Sequence, residues 1–278
     1  MVRPLIGLLA AAGLWLAASA TAAPETAERQ PAQAGLPVDV ALVIVVDISL
    51  SMDPGEQELQ RQGYVEAFRH PDLLATIENG PFQRIAVTYV EWGSATEQTI
   101  VLPWSVVEDP ASAEAVAGRL AETPIRRSRS TSISAAIDLA VRLFEESDVE
   151  AIRRVIDVSG DGPNNAGRPV LEARAEALAA GITINGLPLM LRPMGFSPWS
   201  IPNLDVYYGD CVIGGPGSFV LAVRDPADFK DAIRQKLLLE IARRPSEVLP
   251  AAFGSAATAA ETTDCLIGEK LRRQLWQD

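Results

Sequence analysis

One segment restricts the fold of this chain more than any other: the run from Val38 to Val46 is almost uniformly apolar or β-branched. A strand with one face in water alternates polar and apolar residues, whereas a strand buried on both faces does not. The run therefore predicts a central strand of a parallel sheet. The chain has 278 residues, which is enough for one large domain with appendages.

Strands and helices alternate along the rest of the chain. Further strands are predicted at residues 84–92, 98–104, 153–159, 182–187 and 218–223, with helices in most of the intervals. Only a short turn separates the second strand from the third, so these two are expected to form an antiparallel hairpin at a sheet edge. The pattern predicts an α/β fold with a doubly wound, mostly parallel sheet in the order 3-2-1-4-5.

The N-terminus has the layout of a secretory signal peptide. A basic start at Arg3 precedes an apolar stretch at residues 5–20, and small residues follow at 20–23. An uncleaved membrane anchor is the alternative, but the stretch is short for a spanning helix, so we predict cleavage. The predicted divisions are a signal peptide at 1–23, a flexible leader at 24–37, the main domain at 38–244, and a linker with a C-terminal helix at 245–278. The mature protein is then periplasmic or secreted, with no further membrane span.

Charge and cysteine content limit the partners and the compartment. The formal net charge is -12, which disfavours binding to nucleic acid or to an anionic membrane. The two cysteines, Cys211 and Cys265, are expected to form a disulfide in an oxidising compartment. Such a bond would tie the C-terminal helix to the long loop before the sixth strand. The alternative is two unpaired buried thiols.

Oxygen-bearing side chains follow two of the predicted strands. Asp47, Ser49 and Ser51 follow the first strand, Asp161 follows the fourth, and Thr131 opens the helix before the fourth. The carboxyl ends of the two strands meet where strand order reverses, so the three segments can share one crevice. Hydroxyl and carboxylate oxygens suit Mg²⁺, with Mn²⁺ or Ca²⁺ possible. The alternative is purely structural: the hydroxyls cap the next helix and Asp161 caps a turn.

The Asp-x-Ser-x-Ser motif at 47–51, with Thr131 and Asp161-Gly162, resembles the metal-ion-dependent adhesion site of von Willebrand factor type A (vWA) domains. The resemblance covers about residues 38–243 in element order and implies a Rossmann-like fold. Residues 154–165 also resemble an uncharacterised group of exported bacterial proteins with this domain. In such a site Ser49 and Ser51 bind the cation directly, Thr131 binds it directly or through water, and Asp47 and Asp161 bind it mainly through water.

The resemblance also implies a partner and a function. A Glu or Asp of another protein completes the coordination, so the chain is expected to be a binding module and not an enzyme. One position departs from the family pattern: Arg129 stands where a glycine usually lies two residues before the threonine, which puts the backbone of that loop in doubt. The three arginines of this loop, Arg126, Arg127 and Arg129, either assist an acidic ligand or form a solvated edge.

Two other functions are considered. A haloacid-dehalogenase-like phosphatase also uses a strand ending in Asp and a late Gly-Asp-Gly motif. Here, however, Ser49 stands in place of its second acid, which would be the general acid/base, and Asn165 stands in place of its last acid. No lysine lies between Asp47 and Asp161 to neutralise a phosphate. A structural domain rigidified by metal is the other alternative. A serine hydrolase is disfavoured because His70 is the only histidine and precedes Pro71 at a helix junction.

One acid lies outside the proposed site. Asp157 interrupts the otherwise apolar fourth strand. We expect it to face a helix end or to pair with Arg153 or Arg154, and no function is assigned to it.

Overall fold

A computed structural model describes residues 35–192, 197–242 and 263–275. The strands are β1 (Pro37–Asp47), β2 (Ile85–Trp92), β3 (Gln98–Val107), β4 (Glu150–Gly160) and β5 (Ile182–Pro188). The helices are α1 (Pro54–Arg69), α2 (Pro71–Glu78), α3 (Pro110–Glu122), α4 (Ile133–Glu145), α5 (Val170–Ala179), α6 (Leu204–Tyr207), α7 (Phe229–Ala242) and α8 (Ile267–Leu275). A π-helical turn, Tyr208–Val212, follows α6, and a 3₁₀ turn, Pro226–Asp228, precedes α7.

The five strands form one sheet in the order β3-β2-β1-β4-β5. Strand β1 is central and pairs in parallel with β2 and β4, so that Val45 lies opposite both Val90 and Val158. Strand β3 is antiparallel to β2 at one edge. The α/β class, the strand order and the antiparallel edge are confirmed as predicted.

Both faces of β1 are buried, which explains its almost uniformly apolar sequence. Leu42 and Ile44 face a cluster formed with α1, α3 and α7, whereas Val43 and Val45 face a second cluster formed with α4, α5 and α6. All four side chains are 0% exposed. Burying an aliphatic side chain of this size contributes about 1.5–3 kcal/mol, so β1 is a major source of stability as well as the base of the loop that follows it.

The start of α1 follows from its first residues. The Glu56 backbone amide donates to Asp53 Oδ1 at 2.8 Å, and the Asp53 amide donates to Glu56 Oε2 at 3.0 Å. Pro54 occupies the first helical position, where a missing amide proton is harmless. This reciprocal capping satisfies backbone groups that the first turn leaves open.

The prediction of a sixth strand at residues 218–223 is wrong. This segment runs beside β5 but forms only two isolated bridges, Gly186 with Val220 and Leu189 with Val223. Between them the Leu221 amide donates to Gly186 O at 2.9 Å and the Val223 amide donates to Pro188 O at 3.0 Å. The next donor of the ladder would be residue 188, and proline has no amide proton. The pairing is therefore interrupted in its middle.

The edge strand β3 is irregular. Its register with β2 shifts between Val87 and Tyr89, and Thr88 donates its hydroxyl to Leu102 O at 2.8 Å. Pro103 lies in the strand at this irregularity, with an exposed side chain. Proline and bulges are both tolerated at a sheet edge, where one side of the strand has no neighbour to pair with.

The two cysteines form the predicted disulfide. Cys211 lies in the π-helical turn and Cys265 lies just before α8, with their Cα atoms 5.5 Å apart. The C-terminal helix is thus covalently tied to the body of the domain.

Some predicted segments lie outside the described residues. These are the signal peptide at 1–23, most of the leader at 24–37, and most of the linker after 244. Within the ranges that the structure covers, none of the helices has the length and apolarity needed to cross a bilayer.

The expected partner of Asp157 is wrong. Its carboxylate forms an ion pair with Lys236 of α7 and accepts a hydrogen bond from the Tyr64 hydroxyl at 3.2 Å. Lys236 also pairs with Glu240, which accepts from Asn185 Nδ2 at 3.0 Å. We call these five residues the lysine cluster. Arg153 instead donates to main-chain carbonyls near the end of α7, so the buried cation comes from a distant helix.

Candidate metal site

The loop after β1 holds three of the five predicted site residues in contact. The Ser49 amide donates to Asp47 Oδ1 at 2.7 Å. The hydroxyls of Ser49 and Ser51 are 2.7 Å apart, and Ser51 Oγ donates to Asp161 Oδ1 at 2.6 Å. A continuous series of contacts therefore joins the Asp47 loop to the Asp161 loop.

Parallel pairing of β1 with β4 brings these loops together. Val46 lies opposite Ser159, so both strands end at the same edge of the sheet and Asp161 follows directly. Gly160 makes room for the carboxylate, because a Cβ at this position would lie 3.0 Å from Asp47 Oδ2 and 3.0 Å from the Tyr208 hydroxyl. The small residue thus permits a close approach that a larger one would prevent.

Thr131 is held against the same site through its main chain. Its amide donates to Asn165 Oδ1 at 3.1 Å, and its carbonyl accepts from the Asn165 amide at 2.9 Å. On the other side, Ser128 pairs with the Asp47 loop: its amide donates to Ile48 O at 2.9 Å and its carbonyl accepts from the Leu50 amide at 2.7 Å. The segment around Thr131 is therefore bound to both of the other loops.

Thr131 does not itself open α4. The helix begins at Ile133, and Ser132 is its N-cap, whose hydroxyl accepts from the Ala135 amide at 3.3 Å. Thr131 precedes the cap and is buried, with 4% of its surface exposed. Its hydroxyl is thus not used for capping.

Arg129 is accommodated without backbone strain. Among the residues that the structure describes, the non-glycine residues with positive φ are Gln83 and Asn203, so Arg129 adopts an ordinary conformation. Nearby, Arg127 Nη2 donates to Met52 O at 2.6 Å. The absent glycine therefore does not prevent this loop from packing beside the Asp47 loop.

The two acidic residues influence each other, with Asp47 fully buried and Asp161 half-buried. Burial, together with the nearby Asp161 carboxylate, raises the pKa of Asp47 well above its ordinary value. Burial also raises the pKa of Asp161 to about 6, although Ser51 and the guanidinium of Arg192 oppose the shift. That guanidinium is itself paired with Glu56. Neither aspartate forms an ion pair with another of the described residues. A cation bound beside them would favour the charged form of both carboxyl groups.

The donor set fits a hard divalent cation. Asp47 Oδ2 is buried without a hydrogen-bond partner in the described part of the chain, and the nearby oxygens are two serine hydroxyls and a second carboxylate. The structure, as far as it is described, contains no cluster of three or more His, Cys, Asp or Glu placed to hold a metal. The site thus offers mainly neutral hydroxyls with few direct anions. Capping of α1 does not explain the two serines, since Asp53 is the N-cap of that helix.

A cleft opens beside this site. Ser51 and Asp161 form part of its wall, and its volume is about 330 Å³. Most of the other lining side chains are apolar: Met52, Leu189, Met190, Leu191, Ile201, Pro202 and Leu204. Arg192 and Arg224 also line it. A partner that reaches the site can therefore contact an apolar surface next to it.

Sequence reasoning missed the residues that hold the site in place. Asn165 binds both main-chain groups of Thr131, and the buried Asn164 accepts from the Ser134 amide at 3.0 Å through Oδ1. Tyr208 places its buried hydroxyl next to Gly160. The consecutive asparagines after Asp161 were the available signal, because two buried amides in one turn need several partners.

Comparison with known proteins agrees with this description. The family described as "Protein of unknown function (DUF1194)" matches residues 37–245. No curated protein matches the chain.

Two solved structures are similar in fold. Proximal thread matrix protein 1 from the mussel byssus, crystal form 2, has a TM-score of 0.53 and 14% identity, covering 74% of this chain and 49% of that one. The pilus adhesin SpaC from Lactobacillus rhamnosus GG has a TM-score of 0.55 and 10% identity, covering 73% of this chain and 31% of that one. The chain thus spans about half and about a third of these proteins. The likeness and the strand order identify the vWA fold.

Proposed function

The chain belongs to the DUF1194 family, and we propose that it is an exported binding module. In this proposal it holds a divalent cation and binds an acidic group of a partner protein. The residues that would hold the cation are Asp47, Ser49, Ser51, Thr131 and Asp161. Mg²⁺ is the proposed ion, with Mn²⁺ and Ca²⁺ as alternatives. The location is the periplasm or the exterior of the cell.

One observation carries the proposal: the buried Asp47 carboxylate and the half-buried Asp161 carboxylate lie at either side of a pair of serine hydroxyls, and their pKa values are raised. Buried carboxylates without a counter-ion destabilise a fold, so such an arrangement is retained where a cation binds. Hydroxyl oxygens at this spacing suit a hard ion that keeps some of its water.

The donor set also favours recognition over catalysis. A bound Mg²⁺ would supply a Lewis-acidic position for one carboxylate oxygen of the partner. The protein's own residues orient the ion, and the apolar cleft beside Ser51 and Asp161 gives the partner a surface to pack against. Solved relatives by fold include an adhesin and a matrix protein, as their names state, which agrees with a binding role.

Calorimetric titration of the purified protein with Mg²⁺, Mn²⁺ and Ca²⁺ tests the metal site. We expect the Ser49→Ala/Ser51→Ala variant to bind the cation about 100-fold more weakly or worse. Loss of an outer-shell partner alone typically weakens metal binding by about 10–100-fold. The matched control is Ser105→Ala, which removes a hydroxyl on β3 that bonds only its own strand, at Pro103 O. If the folded wild type binds no cation, alone or with an acidic peptide, the proposal is wrong.

Binding of a partner is tested with a metal-loaded protein and a Glu-containing peptide, compared with its Gln counterpart. Preference for Glu that is lost on addition of EDTA supports the adhesion role. Metal binding without that preference favours a metal that only rigidifies the loops. Hydrolysis of p-nitrophenyl phosphate that is lost in Asp47→Asn would instead support the phosphatase alternative.

A further inference from the structure

We propose that helix α8, tethered by the Cys211–Cys265 disulfide, positions the Thr131 segment of the metal site through Asn164 and Asn165. The inference rests on the proposed function for its effect on metal binding. Its structural part, the ordering of Thr131 by α8, stands on the contacts alone. Asn164, Asn165, Glu269 and Arg272 are thus positioning residues.

The first link joins Thr131 to Asn165. The Asn165 amide donates to Thr131 O at 2.9 Å, and Asn165 Oδ1 accepts from the Thr131 amide at 3.1 Å. Two hydrogen bonds to one residue fix the main chain of Thr131 in both directions. A displacement of Asn165 is therefore expected to move Thr131, which is one of the proposed metal ligands.

The second link joins α4 to α8 through Asn164. This side chain is 0% exposed and uses both of its polar atoms. Oδ1 accepts from the Ser134 amide at 3.0 Å, while Nδ2 donates to Arg168 O at 3.1 Å and to Glu269 Oε1 at 2.7 Å. Glu269 belongs to α8, so a single buried amide bridges the first turn of α4 and the C-terminal helix.

One face of α8 is shaped for this contact. Gly268 packs so closely on the turn that an added Cβ would lie 2.1 Å from Asn164 O. One turn later, Arg272 Nη1 donates to Asn165 O at 3.2 Å. The face toward Asn164 and Asn165 thus carries a glycine, an acid and a base in place of the apolar residues that cover a core.

The disulfide helps to hold α8 in place, because the polar face of this helix buries little apolar surface. Helix α8 has nine residues, and Gly268 is its one buried residue in the described range. A helix of this length is marginal alone, and little apolar burial holds it in place. Cys265 lies two residues before α8 and is bonded to Cys211, while Thr263 donates its hydroxyl to Asp210. The tether keeps the local concentration of α8 high at the turn.

The test uses Glu269→Ala/Arg272→Ala and Cys211→Ser/Cys265→Ser in the full chain. The first readout is hydrogen exchange of the metal-free protein. We expect faster exchange at the amides of Thr131 and Ser134, whose acceptors are the two asparagines, and no change at Ser132, whose amide donates to Gly93 O at 2.7 Å. Lys270→Ala is the control, because Lys270 pairs with Asp264 on an exposed face of α8.

The second readout is the affinity for Mn²⁺. Both double variants are expected to bind about tenfold more weakly, as is typical when outer-shell contacts are lost. Glu269→Gln, which keeps an oxygen acceptor for Asn164, should restore affinity relative to Glu269→Ala. The single Arg272→Ala variant serves if a double variant fails to fold.

Three outcomes would overturn the inference. One is unchanged exchange at Thr131 and Ser134 in every α8 variant. Another is a uniform loss of protection across the domain, which would make α8 a general stabiliser. The third is normal Mn²⁺ affinity despite faster exchange. If the wild type binds no Mn²⁺, the proposed function fails, while the exchange data still decide whether α8 orders Thr131.

Discussion

Two pairs of acidic side chains differ in what compensates their charge: one lies against the middle of β4, and the other lies at the carboxyl ends of β1 and β4. In the lysine cluster, Asp157 and Glu240 share the ammonium group of Lys236, and all three side chains are at most 1% exposed. At the carboxyl ends of β1 and β4, Asp47 and Asp161 flank two serine hydroxyls instead. The lysine cluster has one cation of the chain between its two carboxylates. In the described part of the candidate metal site, the guanidinium that acts on Asp161 is that of Arg192, which is also paired with Glu56.

We interpret the lysine cluster as structural and the pair at the strand ends as part of the proposed metal site. Removing charge from water is unfavourable unless a counter-ion and hydrogen bonds replace the lost hydration. The lysine cluster meets that requirement internally through Lys236, Tyr64 and Asn185. The carboxylates at the strand ends meet it only in part, so an external cation is the natural complement.

The largest effect is expected from removing the internal counter-ion. Lys236→Met leaves Asp157 and Glu240 buried together without a cation, which should lower the free energy of unfolding by about 3–5 kcal/mol. Urea denaturation measures the change. Lys230→Met, which removes an exposed partner of Glu66, should have little effect. Equal losses in the two variants would contradict the assigned role of Lys236.

The next effect comes from supplying the external counter-ion. Mg²⁺ at about 100 times its Kd should stabilise the protein by about 2.7 kcal/mol, seen as a rise in Tm. In Asp47→Asn the stabilisation by Mg²⁺ should largely disappear. Without metal, this variant should be at least as stable as the wild type, because the buried carboxyl with its raised pKa has been replaced by a neutral amide. The exposed Glu122→Gln variant controls for net charge, and a full Mg²⁺ response in Asp47→Asn would count against the site.

The smallest effect is a pH dependence of the lysine cluster. Burial and the neighbouring Asp157 raise the pKa of Glu240 to about 7, although Lys236 and Asn185 oppose the shift. The folded state thus keeps a proton that the unfolded state has lost above about pH 4.3. Stability contributed by this group is therefore present at low pH and falls as pH rises toward 7.

Glu240→Gln should remove that slope. Between pH 5 and pH 7 the wild type is expected to lose about 2 kcal/mol more than the variant, since one pKa unit corresponds to about 1.4 kcal/mol. Urea denaturation at both pH values, without metal, gives the comparison. Parallel pH profiles would show that Glu240 is ionised throughout.

Much of the fold could be predicted because local patterns and burial agree. The almost uniformly apolar run at residues 38–46 predicted β1, and the short turn after the second strand predicted the antiparallel edge. The predicted strand at 218–223 is wrong because its neighbour contains Pro188, whose missing amide matters only once the two segments are adjacent. The partner of Asp157 was also missed, because Lys236 reaches it only through the packing of α7.

The site itself could be predicted in part. The Asp-x-Ser-x-Ser motif and Asp161 are brought into contact as their strand ends required. The support around Thr131 could not be read from the chain order, because it depends on Asn164 and Asn165 meeting a helix more than 100 residues later. Residues such as Asn164 and Asn165, which act by orienting other residues, show no motif or spacing that a single sequence reveals.

The irregular edge of the sheet also limits how this protein can associate. An exposed edge strand can recruit another chain by continuing the backbone ladder, and a proline or a bulge prevents such growth. Pro103 and the register shift of β3 combine both features, while segment 218–223 lies along β5 on the opposite edge. Extension of the sheet into a shared fibre or a strand-swapped pair is therefore disfavoured, and contacts made through side chains on the loops are left as the main route to assembly.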